Sequence, residues 1–209
     1  MENCRDILDK GLKTLGIASN ASQLDLLLAF IKLIEKWNKA YNLTAVRNKE
    51  DMATLHILDS LTVLPYVEGG RVADIGTGAG LPGIPLAIFC PDVEFVLVDS
   101  NSKKTRFVQQ AILELKLKNV SVIHSRVEDV KPEQLFSTVI MRAFASLQDI
   151  MNLTSHLLDK QGVLLAMKGQ TFEEEHSSIN TPYSVIPLKV PELDAERCLI
   201  RVEGDQCNG

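Results

Sequence analysis

The chain has 209 residues, 45% of them hydrophobic and 23% charged, with a formal net charge of −5. That length supports one domain with a small appendage around a sizeable core, and eight prolines among so many apolar residues exclude a disordered chain. No run approaches the roughly eighteen apolar residues that a membrane-spanning helix needs.

A short helix is expected over 5–15, ending at Gly16. Over 24–37, Leu24, Leu27, Leu28, Ile31, Ile34 and Trp37 form one helical stripe. A third helix runs from about Lys49 to Leu64 and stops before Pro65. Residues 1–70 thus read as an all-helical extension packed on the remainder of the chain. Between two of its helices, Trp37-Asn-Lys-Ala-Tyr-Asn-Leu-Thr44 is too rich in amides and aromatics for a generic linker. His56 and Asp59 lie three positions apart on one helix side. They read as a structural pair beneath the next loop rather than a catalytic dyad.

From Arg71 short apolar runs alternate with helices. Strands are expected at 71–75, 94–99, 120–124, 138–141 and 163–167, and helices at 84–90, 102–117 and 147–159. That succession is an α/β fold on a mainly parallel sheet. Two further strands, 183–190 and 197–202, come one after the other without a crossover helix and form an antiparallel hairpin that completes seven strands. The α/β domain spans 71–203, leaving 204–209 as a tail without visible function. In open sheets ligands bind beyond the carboxyl ends of the strands, where Asp74, Asp99, Ser125 and Arg142 fall.

The run Val72-Ala-Asp-Ile-Gly-Thr-Gly-Ala-Gly-Leu-Pro-Gly83 carries the chemistry. Its glycines, Gly76, Gly78 and Gly80, permit a tight turn and close approach of a ligand to the backbone. Asp99 closes the second strand, where a carboxylate can accept from both hydroxyls of a ribose. Gly78-Ala-Gly80-Leu-Pro-Gly83 satisfies the dinucleotide pattern, so an NAD enzyme must be weighed. Asp74, two residues before Gly76, decides against it. Beside a pyrophosphate it repels, whereas beside the ammonium and sulfonium of S-adenosylmethionine it attracts.

After the third strand, Val127 is placed to pack on the adenine and the backbone or Glu128 to read its exocyclic amine, although Glu128 also suits an ordinary first-turn helix charge. The fourth strand leads into Met141-Arg142-Ala-Phe-Ala-Ser146, with neither the Pro-Pro-aromatic run of exocyclic-amine methyltransferases nor a cysteine nucleophile. Transfer therefore needs little acid–base help. Arg142 can bind, orient or neutralise, or serve as a structural ion-pair partner. Lys103, Lys104 and Arg106 come directly after Asp99, as a solvated helix face or as phosphate contacts. Lys168, in Lys168-Gly-Gln170, either touches a substrate phosphate or caps its strand. The acidic net charge argues mildly against nucleic acid, but the distribution of charge matters more. His124, His156 and His176 form no metal set, and Cys4, Cys90, Cys198 and Cys207 show no ligand spacing. Reduced thiols, no metal and, from a start lacking a secretory segment, a cytoplasmic location are expected.

Taken in order, Lys36-Trp-Asn-Lys-Ala-Tyr-Asn-Leu-Thr44, His56-Ile-Leu-Asp-Ser60, the glycine run to Pro85, Asp99-Ser, Ser125-Arg-Val-Glu128, Arg142-Ala-Phe-Ala-Ser146 and Lys168-Gly-Gln170 resemble the RsmG (GidB) family. These are bacterial small-subunit ribosomal RNA guanine-N7 methyltransferases, and the resemblance runs to about residue 202. It implies a class I, Rossmann-like S-adenosylmethionine-dependent methyltransferase domain over 71–203 with an N-terminal helical extension. It also implies methylation of guanosine 527 in the 530 loop of 16S rRNA on the 30S subunit, and low-level streptomycin resistance on loss. The family's cofactor contacts fall on Gly76, Leu81, Val127, Glu128 and Arg142. One departure is Ala79, where a proline is common; the turn should remain competent. A monomer is the default. The rivals are a small-molecule methyltransferase, which would turn over without ribosomal particles, and a non-catalytic assembly factor, whose binding would survive loss of the cofactor site.

Overall fold

The structure is a computed structural model describing residues 1–142, 146–169 and 181–207. The N-terminal part is helical, with α1 (Glu2–Thr14) and α2 (Ala21–Tyr41). Polar caps carry α2 beyond the apolar stripe at both ends. The Asn20 side chain accepts from Gln23 N at 2.9 Å while the Gln23 side chain accepts from Asn20 N at 3.0 Å. At the other end Asn42 takes the left-handed conformation, φ 48°.

The single helix expected over 49–64 is broken. It begins as α3 (Lys49–Met52), capped by Asn48, widens into a π turn over Ala53–Leu58, and returns as α4 (Asp59–Leu61). A 3-10 turn at Leu64–Tyr66 ends it. The wider turn re-aims the side chains from His56 to Ser60, and such turns recur at functional sites.

The α/β part runs β1 (Arg71–Ile75), α5 (Gly83–Phe89), β2 (Glu94–Asp99), α6 (Ser102–Leu115), β3 (Val120–His124), β4 (Phe136–Arg142), α7 (Leu147–Thr154), β5 (Leu158–Lys168), β6 (Ser184–Leu188), β7 (Arg197–Glu203) and α8 (Gly204–Cys207). The sheet order is β3-β2-β1-β4-β5-β7-β6. β1 to β5 pair in parallel, and β7 pairs antiparallel with both β5 and β6. This is a Rossmann-like sheet in which the chain's direction of travel reverses between β1 and β4, the switch point where such folds bind ligands.

Two boundaries in the α/β part differ from expectation by about five residues. α7 ends at Thr154, and β5 starts at Leu158 rather than 163. The register explains why: Phe136 pairs with Leu158 and Thr138 with Val163, so polar residues 159–162 bulge out of a strand they interrupt. The segment after β7 is the short helix α8, and a side chain on Gly204 would overlap the carbonyl oxygen of Asp159.

One face of the sheet, with Phe95, Leu97, Ile140, Leu165 and Leu199, shares a single apolar cluster with the N-terminal helices, α5 and α6. The other face, with Val96, Val98, Val139, Leu164 and Ile200, packs on Leu147, Ile150 and Met151 of α7. Phe30 stacks on Phe107 at 6.3 Å between ring centroids, and Trp37 meets the same ring edge-on at 5.9 Å. These rings lock α2 onto α6. The helical segment therefore has its core in common with the sheet, which fixes His56 and Asp59 over the strand ends. Among the described residues no helix is long and apolar enough to cross a membrane.

Candidate active site

Two cavities open at the carboxyl ends of the parallel strands. The first, about 300 Å³, lies over β1, β2 and β3 and is lined by Gly76, Asp99, Ser100, Ser125, Val127 and Glu128 among others. Asp99 ends β2, and its two oxygens each accept one backbone N–H, from Gly78 and from Asn101, both at 2.8 Å. Each oxygen keeps a second lone pair, so the carboxylate is oriented by the chain and still able to receive two vicinal hydroxyls. Gly76 sits at φ +67°, and a Cβ there would meet nothing within 4 Å. The positive φ favours glycine, and the open space lets a ligand lie against the backbone. Val127 is half-buried and Glu128 exposed on the 3-10 turn after β3. These features fit a nucleoside with a free ribose diol.

Other predicted residues shape the loop from behind. Asp74 is fully buried and lines neither cavity. Its Oδ2 accepts from Thr77 Oγ1 at 2.6 Å and from Gly83 N at 2.8 Å, while Oδ1 has no partner. The sequence leads one to expect contact with the donor's cations, but in this structure the carboxylate is a brace that ties both ends of the glycine loop together. Burial pushes its pKa up to about 6 against the opposing pull of Thr77, Gly83 and Arg142, with Asp99 adding to the rise. Gly80 (φ +81°) packs against Ile84 and Phe30, and Leu81 is buried in the core. Neither lines these two cavities; both set the path of the loop.

The second cavity, about 420 Å³, lies over β4, β5 and the start of β7, roofed by the π turn. Its wall includes His56, Asp59, Arg142, Lys168, Arg197 and Cys198. Arg142 is held by the π turn and α4: Nη2 donates to His56 O at 3.2 Å and to Ser60 Oγ at 2.9 Å, and pairs with Asp59 Oδ2 at 3.0 Å. Arg197 Nε stands 3.5 Å from Asp59 Oδ1. Burial raises the Asp59 pKa, and the Arg142 and Arg197 charges oppose that rise.

The His56–Asp59 pair expected from spacing is replaced. Asp59 turns to the two arginines, and His56 Nε2 bonds Thr44 Oγ1 at 2.8 Å. Burial and the Arg142 charge lower the His56 pKa to about 4. Lys168 is buried in the cavity wall, not on an outer phosphate-facing surface. Lys103, Lys104 and Arg106 occupy the first turns of α6, just past Asp99; Lys103 and Arg106 are exposed and Lys104 half-buried. None of the three lines either cavity.

Sequence reasoning misses Arg197 and Thr44 as site residues. Pairing offers a signal for the first, because Cys198 opposes Lys168 in the antiparallel register and brings Arg197 to the end of β5. Ala143–Ala145, Gln170 and His176 lie outside the described residues. Among the described residues no cluster of His, Cys, Asp and Glu is placed to hold a metal ion.

A glycine loop, an aspartate at the end of β2 and this strand order define a class I S-adenosylmethionine-dependent methyltransferase. Solved structures agree on the fold. The magnesium protoporphyrin IX methyltransferase of Synechocystis PCC 6803 with bound SAM superposes with a TM-score of 0.57 at 14% identity, over 83% of this chain and 97% of that one. A SAM-dependent methyltransferase from Aquifex aeolicus gives 0.56 at 16% identity over the same shares. The chain belongs to the GidB family, rRNA small subunit methyltransferase G, whose model matches residues 23–200. Proteins named ribosomal RNA small subunit methyltransferase G are 49% identical in Nitrosococcus oceani, over 94% of both chains, and 50% identical in Hydrogenovibrio crunogenus, over 94% of this chain and 92% of the relative.

Proposed function

We propose that this enzyme transfers the methyl group of S-adenosylmethionine to N7 of guanosine 527 in 16S rRNA, acting as a cytoplasmic monomer on the small ribosomal subunit. The observation that carries the reading is the pair of cavities flanking the β1/β4 switch point, a nucleoside cradle at Asp99 and a cation-lined cavity at Arg142. When bound, the cofactor supplies an electrophilic methyl group. Asp99 holds the ribose hydroxyls, Gly76 and Gly78 admit the ligand to the backbone, Val127 packs on the adenine and Glu128 accepts from its amine. Gly80 and Leu81 keep the loop in shape, and Asp74 braces it while setting negative charge behind it.

Guanine N7 carries an in-plane lone pair and no proton, so no general base is required and positioning supplies much of the rate. That agrees with a cavity whose histidine is neutral and whose carboxylate is engaged with arginines. Arg142, fixed by three acceptors, orients the target against the donor. Lys103, Lys104 and Arg106 meet rRNA phosphates beside the cleft, and Lys168 lends its charge to the cavity wall.

The test is transfer of radiolabel from S-adenosylmethionine to 30S particles and naked rRNA lacking the modification, with nucleoside analysis and mapping. Label recovered as 7-methylguanosine at position 527 is expected; label on neither substrate, from protein that binds the cofactor, overturns the assignment. An Arg142→Ala enzyme that kept full transfer would remove Arg142 from its role.

A further inference from the structure

Among the described residues five buried side-chain polar atoms lack a hydrogen-bond partner, and three of them belong to residues of the second cavity: His56 Nδ1, Asp59 Oδ1 and Arg142 Nε. Buried polar atoms are ordinarily satisfied, so this concentration in one wall points to a ligand with complementary groups. Asp59 is only 6% exposed and His56 7%. Buried ion clusters seldom add stability over apolar packing, so folding alone does not account for a carboxylate set between two arginines there.

We propose that Asp59 reads the Watson–Crick edge of the target guanine, accepting hydrogen bonds from N1–H and the 2-amino group; this rests on the proposed transfer to guanine N7. Guanine is the one standard base with two adjacent donors on that edge, and a carboxylate is the side chain with two adjacent acceptors. Asp59 Oδ1 has only the 3.5 Å ion-pair contact with Arg197 Nε, and Oδ2, which receives Arg142 Nη2 at 3.0 Å, has a second lone pair. Arg142, Arg197 and Lys168 supply donors close by for the O6 acceptor. A neutral His56 adds no further positive charge to the wall. Pairing along this edge leaves N7, which lies on the opposite, major-groove edge, free for the methyl group. It also requires the base to leave its stack, as enzymes acting on bases commonly arrange. The cavity, about 420 Å³, lies within the usual range for small-molecule pockets.

The experiment compares single-turnover transfer to 30S particles carrying guanosine, inosine or adenosine at position 527, by the wild-type enzyme and by Asp59→Asn. Inosine lacks only the 2-amino group; adenosine lacks both donors and keeps N7. The wild type should be about tenfold or more slower on inosine, since a lost hydrogen bond leaves a charged acceptor unpaired, and slower again on adenosine. In Asp59→Asn, whose folding is checked by thermal melting, the guanosine rate should fall and the guanosine-to-inosine gap should close to about threefold or less. Equal wild-type rates on guanosine and inosine overturn the proposal, and that comparison stands even if the variant does not fold. A gap that persists undiminished in folded Asp59→Asn also overturns it. No transfer to guanosine particles overturns the proposed function, and this reading with it.

Discussion

Replacing Asp74 by Asn isolates the energetic consequence of burying a carboxylate beneath the glycine loop. Asp74 has a pKa of about 6 in the folded chain against an ordinary value of 3.8, chiefly because burial disfavours its charged form. The folded state therefore holds this proton more tightly than the unfolded state. Stability from the protonated form is fully present below pH 4 and is lost as the pH rises through 6. A difference of about two pKa units, at about 1.36 kcal/mol each, amounts to about 3 kcal/mol. Asn keeps the shape and one acceptor for Thr77 and Gly83, but cannot ionise. Its amide replaces the unpartnered Oδ1 at a cost that does not vary with pH. Urea unfolding at pH 4, 6 and 8 should show the wild type losing up to about 3 kcal/mol relative to Asp74→Asn between the extremes. Cofactor affinity should move the other way, falling in the variant because the negative charge behind the loop is gone. Stability curves that run parallel across pH would refute the reasoning.

The His56 imidazole should titrate with a midpoint of about 4, because burial and Arg142 oppose its protonation; an NMR midpoint at 6 or above would contradict the buried site. As the folded pKa lies below the unfolded value, this histidine's contribution to stability is present above pH 6.5 and is lost as the pH falls towards 4. Gly83→Ala places a Cβ 2.7 Å from Asp74 Oδ2 and 2.9 Å from Leu97 Cδ1. It should cost about 1–3 kcal/mol in urea unfolding and weaken cofactor binding, and a change under about 0.5 kcal/mol would show that the loop yields freely. Alanine at Lys103, Lys104 and Arg106 together should lower the salt dependence of 30S binding by about 2–3 in log–log slope. An unchanged slope would return these residues to the role of a solvated helix face.

The first cavity is legible in the sequence because its residues are local. The glycine loop, Asp99 and Val127-Glu128 each come after a strand whose apolar run announces it, and parallel crossovers bring those strand ends side by side. The second cavity is not. Its wall draws on the segment after α2, the π turn, β4, β5 and β7, and no period in the sequence encodes which of these meet. The π turn hides inside an acceptable helical stripe, since one widened turn shifts the face without interrupting the apolar count. That shift is why spacing pairs His56 with Asp59, while the structure gives Asp59 to Arg142 and Arg197 and gives His56 to Thr44. The apolar run starts β5 too late because residues 159–162 are polar and a bulge carries them. Asp74 stands out in the sequence as an important charge, but its burial behind the loop depends on packing around Gly83 that no spacing reveals.

β7 is the last strand in chain order, yet it lies inside the sheet, between β5 and β6, and carries Arg197 and Cys198 to the second cavity. The strands and turns that line the first cavity are all encoded by residue 129. During synthesis, then, every residue lining the first cavity is made well before the strand that finishes the second. The second cavity is therefore the later of the two to gain its full wall as the chain is made.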